Sequence, residues 1–176
     1  MAMIRRLDGL EMKLDPLSRI AENATLVGNV VLAEGANIWY GAVLRGDFGG
    51  IAVGRDCAVE DNCVLHGEVT LGEKSIVGHG AILHHCKIGS HVLIGMGTVV
   101  LSGAVIGDGS VIAAGAVVTE GAQIPAGSMV MGVPGKIRGP VSAGHVEEIN
   151  ESAACYRRLA EAQLPSACEE RRSDAK

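Results

Sequence analysis

Aromatic side chains are nearly absent: the 176 residues hold one Trp, two Tyr and one Phe. Such rings dominate the packing of most layered globular cores, so their scarcity argues against that architecture. Long hydrophobic runs are missing as well. No apolar stretch approaches the roughly 20 residues that span a bilayer, so no membrane association is expected. The N-terminal stretch carries Arg5 and Arg6 but lacks the continuous apolar segment of a secretory signal. Positive charge is not in excess, with 15 Lys and Arg against 20 Asp and Glu and a net charge of −5. That balance leaves no electrostatic footprint for nucleic acid. The five cysteines form no CxxC pair. Cys57, Cys63 and Cys86 occupy places taken elsewhere by Ala, Ser or Val, which fits small buried thiols and a reducing, cytoplasmic setting.

What is present is small and aliphatic: hydrophobic residues make up 48% of the chain, with 25 Gly beside them. The aliphatics recur every six positions. Ile20, Leu26, Leu32, Ile38 and Leu44 begin the series, and Val53, Val59, Leu65, Leu71, Val77 and Leu83 resume it. Ile88, Ile94, Val100, Ile106, Ile112, Val118, Ile124 and Val130 complete it. Two residues before them stands a small or β-branched side chain, such as Ala24, Ala42, Cys63, Ala81 or Thr98. A period of six suits neither a helix nor a simple alternating strand. It suits short strands joined by tight corners, with three hexads closing a triangular coil of about 18 residues. The expected fold is therefore all-β: a left-handed parallel β-helix over residues 20–140, after an N-terminal segment 1–19. From Ser142 the spacing of Val146, Ile149, Ala153, Tyr156 and Leu159 predicts a C-terminal amphipathic α-helix within 141–163. Ser142 is its candidate N-cap and Pro165 its stop. A loose tail is expected over 164–176.

Two steps break the period. Leu44 to Val53 spans nine residues, implying an excursion at Arg45–Gly50, and Leu83 to Ile88 spans five. Both lie beside residues with chemistry. His66 follows Leu65 and His84 follows Leu83 three hexads later, so they stack on consecutive coils about 4.8 Å apart. Zn–N bonds of about 2.0–2.1 Å allow two such imidazoles to share a metal. Arg45 falls one coil below His66. His79 belongs to another face, with Asp61 directly beneath it and Glu60 alongside. It reaches a His66/His84 pair only on a neighbouring chain, which makes a closed threefold ring the natural assembly. In that ring Asp61 faces Arg45. His85, His91 and His145 read as ordinary surface histidines.

The segments around these residues are Trp39-Tyr-Gly-Ala-Val-Leu-Arg-Gly-Asp47, Glu60-Asp-Asn-Cys-Val-Leu-His66 and Gly78-His-Gly-Ala-Ile-Leu-His84. Leu93-Ile-Gly-Met-Gly97, Ile112-Ala-Ala and Met131-Gly-Val-Pro-Gly-Lys136 follow. Together they resemble the gamma-class carbonic anhydrase family, including relatives named as carnitine-operon and phenylacetate-degradation proteins, from about residue 8 to 160. The resemblance implies a homotrimer in which His66 and His84 of one chain and His79 of the next hold zinc, or iron or cobalt. It implies an inter-subunit salt bridge between Arg45 and Asp61, with Asp47 in the same polar network. Three neutral imidazoles leave one position for water, whose pKa the metal lowers toward about 7, giving hydroxide able to convert CO2 to bicarbonate.

The chain departs from the family pattern in several places. Glu60 stands where the family has a glutamine that meets the metal-bound water, and His85 replaces a small residue. Phe48 replaces a carboxylate, and the acidic proton-shuttle loop is missing. Glu68 and His85 are candidate substitute proton carriers. Tyr156 resembles a helix tyrosine that approaches the site in some relatives. Two other functions remain open from the residues alone. One is an acyl-CoA thioesterase or acyltransferase on the same scaffold, and the other is a non-enzymatic, metal-stabilised trimeric assembly module.

Overall fold

The computed structural model describes residues 2–167. Mostly short parallel strands of two or three residues alternate with tight turns and pair with their counterparts one coil above and below. The last strand, Lys136–Pro140, folds back antiparallel on Ser128–Met131. The result is the all-β, left-handed parallel β-helix with one C-terminal helix. The period of six explains itself locally: two extended residues are followed by a four-residue corner. The corners need backbone in the left-handed region, which Gly supplies without steric cost. Gly80, at φ +69°, turns the chain after His79, and Asn62, at φ +59°, does so one coil below.

The aliphatic series points inward along all three faces. Leu44, Leu65, Leu83, Val100 and Val118 stack on the first, Val53, Leu71, Ile88 and Ile106 on the second, and Ile38, Val59, Val77, Ile94, Ile112 and Val130 on the third; all are buried. Burying one such side chain stabilises the fold by about 1.5–3 kcal/mol, so the column supplies most of the cohesion. Register follows hexad counting: Leu83 pairs with Leu65 and Leu65 with Leu44, which sets His84 over His66 and His66 over Arg45.

Two details differ from the sequence expectation. Parallel pairing already begins before residue 20, with Met3–Arg5 and Lys13–Leu14 joined to Thr25–Leu32. The nine-residue step is no free loop. It lies inside one long strand, Val43–Val53, which rounds a corner and serves two faces. Its pairing with Thr25–Leu32 shifts register between Gly28 and Val30, so a bulge absorbs the extra residues.

The helix runs Ala143–Gln163, with Ser142 as N-cap accepting the His145 N–H at 3.3 Å. It lies against the third face, over Asn37–Ile38 and Ala58–Val59. Ile149, Ala153 and Ala160 are its buried residues, whereas Val146 and Leu159 are exposed. The small alanines let the backbone approach the β-helix, so the buried stripe is narrower than the aliphatic pattern implies. Leu164 caps the helix just before Pro165. The chain then returns to the first coil through Ile20 N–H to Pro165 O and Ala167 N–H to Ser18 O. The rest of the expected tail, from residue 168, lies outside the described residues.

Candidate metal centre

His66 and His84 stand at the ends of paired strands, Val64–His66 and Ile82–His84, with ring centroids 5.1 Å apart. His84 Nδ1 lies 2.9 Å from Ser102 Oγ. With Nδ1–H donating to that hydroxyl, the Nε2 lone pair is free for a ligand. Burial, followed by the neighbouring His85, His66 and Arg45, lowers the His84 pKa below the usual histidine value. His84 is therefore held neutral, the form that binds metals.

His66 Nε2 is buried and has no hydrogen-bond partner among the described residues. Asp47 Oδ1 comes within 3.3 Å of it but without hydrogen-bond geometry. Asp47 is instead held by Arg45 Nη1 at 2.8 Å and by the Phe48 N–H at 3.1 Å. Desolvation pushes the Asp47 carboxyl up, but the Arg45 hydrogen bond and its own backbone contact prevail and hold it below the usual carboxylate range.

His79 is on the third face, in the corner after Ile76–Val77, and does not join the other two within the chain. Carboxylates of the coil below meet both of its ring nitrogens. Asp61 Oδ2 lies 2.9 Å from Nδ1 and Glu60 Oε2 3.1 Å from Nε2. Glu60, with its side chain 6% exposed, also accepts the His79 backbone N–H at 3.0 Å. Burial, and then the neighbouring Glu60 carboxylate, push the Tyr156 pKa above the ordinary tyrosine value. Tyr156 packs edge-to-face on Trp39 at 5.6 Å, so the helix presses this cluster into place. Asp61 also accepts the Tyr40 N–H at 3.1 Å. Arg45 and Asp61, expected to meet between subunits, each have these other partners within the chain.

The remaining histidines have partners of their own. His91 Nδ1 meets Asn150 Oδ1 at 2.7 Å, and His145 Nδ1 meets the Ser142 hydroxyl at 2.9 Å. His85 stacks edge-to-face on His84 at 4.7 Å and accepts the Glu68 N–H at Nδ1. Cys57, Cys63 and Cys86 are buried, and that burial pushes each thiol up to about 12.

Among the described residues, no group of three His, Cys, Asp or Glu side chains forms a metal cage within one chain. The donor chemistry of the pair nevertheless fits a divalent ion. A buried imidazole nitrogen without a partner is costly unless something takes its lone pair. The neighbouring His84, its Nδ1 engaged by Ser102, offers Nε2 as a second imidazole donor. Ser102 was not found from the sequence, because its contact depends on how one corner overhangs another.

Residues 85–120 match the family model described as bacterial transferase hexapeptide (six repeats). Some solved structures resemble nearly the whole chain. A putative acetyltransferase from Bacillus cereus is 33% identical with TM-score 0.89, covering 92% of this chain and 96% of its own. A hexapeptide transferase family protein from Anaplasma phagocytophilum is 34% identical with TM-score 0.88, covering 93% and 98%. The chain belongs to the hexapeptide transferase family, a family of enzymes. One segment of the chain is also similar to gamma carbonic anhydrases. The mitochondrial gamma carbonic anhydrase 3 of Arabidopsis thaliana is 47% identical over 47 residues. That match covers 27% of this chain and only 18% of the relative's length. No helix among the described residues is long and apolar enough to cross a membrane.

Proposed function

We propose that the protein is a metal-dependent carbonic anhydrase of the gamma class, hydrating CO2 reversibly to bicarbonate at sites shared between the copies of a homotrimer. The observation that carries this reading is the stacked His66/His84 pair, with His66 Nε2 buried without a hydrogen-bond partner and His84 Nδ1 in contact with Ser102. His66 and His84 of one copy and His79 of the next would hold zinc, iron or cobalt. When bound, such an ion supplies Lewis acidity, bringing the pKa of water toward about 7 and stabilising negative charge on bicarbonate.

The chain's own residues do the rest. Burial and the nearby Arg45 favour the neutral form of His84, the form that ligates a metal. Arg45 pins the Asp47 carboxylate beside His66, placing one negative charge at the edge of the pair. Asp61 orients the His79 ring through Nδ1. Glu60 offers a buried carboxylate beside His79 that can accept a hydrogen from incoming water, and the His79 backbone N–H holds it. Stopped-flow CO2 hydration by anaerobically purified, zinc- or iron-loaded protein tests the reading. Hydration abolished by His84→Ala is expected; no hydration by the metal-loaded parent overturns it.

Acyl transfer or hydrolysis on CoA thioesters is the second reading. The Bacillus cereus neighbour, described as a putative acetyltransferase and matched over nearly its whole length, favours it. Acyl-CoA turnover by protein that fails to hydrate CO2 would select it. Metal-dependent assembly without either activity would leave a structural module.

A further inference from the structure

We propose that Ser102 is a positioning residue of this centre, its hydroxyl holding the His84 ring in the tautomer and orientation that metal ligation requires. The assignment rests on the metal-site reading above. Its geometric basis is the 2.9 Å contact between Ser102 Oγ and His84 Nδ1.

The five-residue step in the sequence explains how Ser102 arrives there. Leu83 pairs with Val100, and Ile88 pairs with Ile106. Between the first partners of each pair run His84, His85, Cys86 and Lys87. Between the second run Leu101, Ser102, Gly103, Ala104 and Val105, one residue more. The longer corner therefore lies over a shorter one, fastened by Gly103 N–H to His85 O at 2.7 Å. Ser102 overhangs and turns its hydroxyl back to the ring below. A period without that short step would not bring the two together in this way.

The chemistry gives the contact a consequence. Neutral imidazole has one N–H and one lone pair. When Nδ1–H donates to Ser102, Nε2 presents its lone pair. A serine hydroxyl can also donate to Nδ1, which puts the hydrogen on Nε2 and blocks it. Ligation selects the first arrangement, and Ser102 accommodates it at no cost in hydrogen bonds. The histidines thus differ in their outer partners. His79 meets the Asp61 carboxylate through Nδ1, whereas His84 meets a hydroxyl. Outer partners of ligating histidines typically set metal affinity within 10–100-fold.

Zinc affinity of metal-free full-length protein, measured by competition with a chromophoric chelator, tests the role. Ser102→Ala is expected to weaken zinc binding by about 10–100-fold while the thermal midpoint of the metal-free protein stays close to the parent's. Ser102→Thr and Ser102→Val form a matched pair of nearly equal shape. The threonine is expected to keep parental affinity and the valine to lose it, even if the alanine variant folds poorly. Equal zinc affinity across the pair overturns the role of Ser102. A parent protein that binds no zinc overturns the metal centre itself, which is a separate and recognisable failure.

Discussion

Asp61 Oδ2 sits 2.9 Å from His79 Nδ1, one coil below it, while Asp61 Oδ1 accepts the Tyr40 N–H at 3.1 Å. One carboxylate therefore orients a candidate ligand and satisfies a backbone donor. The two roles separate by substitution. Asp61→Asn keeps an oxygen for Tyr40 but loses the charge on His79, so zinc affinity is expected to fall about tenfold or more with little change in stability. Asp61→Ala also strands the Tyr40 N–H, adding about 1–3 kcal/mol of destabilisation. Chelator competition and urea unfolding on the two variants check the split. Equal urea midpoints for both variants would contradict the second role.

Gly67 makes room for His85. Its φ is +80°, and a Cβ there would collide with the His85 ring. Gly67→Ala is expected to destabilise by at least the 1–2 kcal/mol that left-handed backbone costs an L residue. Adding His85→Ala should return the part due to collision and leave the backbone part. Urea unfolding of the single and double variants measures both. A double variant no more stable than Gly67→Ala would show that His85 does not occupy the space.

The coils and their register were legible because the inner column repeats without ambiguity. Counting from Leu44 through Leu65 to Leu83 fixes which residues stack, and the outward neighbours Arg45, His66 and His84 follow. The placement of Asp61 beneath His79 follows from the same count. Contacts that depend on corner conformation were not legible. Whether Leu101 or Ser102 turns toward His84 is decided by a shortened corner, not by period. The helix was legible in extent but not in its buried face. Ala160 packs where Leu159 was expected, since close approach to the third face favours the small residue.

Burial of three thiols ties stability to alkaline pH. Cys57, Cys63 and Cys86 are raised from 9.0 to about 12 by desolvation. The folded state thus holds these protons more tightly than the unfolded chain. Their contribution is fully present below pH 9 and is lost as pH rises toward 12, at up to about 1.4 kcal/mol per unit and thiol. Tyr156, also raised by burial, acts in the same direction at higher pH. Urea midpoints are expected to decline steeply above pH 9, and less steeply in Cys63→Ala. A midpoint that stays flat through this range would contradict burial of the thiols.

His79 stands on a different face from His66 and His84, so the proposed centre is complete only where two copies meet. Complementation between defective chains tests this without any assumption about the reaction. His79→Ala keeps an intact His66/His84 pair, and His66→Ala/His84→Ala keeps an intact His79. Neither forms a whole site with its own kind. Unfolded together and reannealed, the two should assort at random into closed rings. About a quarter of the interfaces then join a good pair to a good His79. Zinc bound tightly by the mixture should approach about a quarter of the parental amount, against almost none for either variant alone. A mixture that binds no more than its components would exclude ligation across subunits. His79 would then remain with Glu60 and Asp61, and the stacked pair would need its third ligand elsewhere.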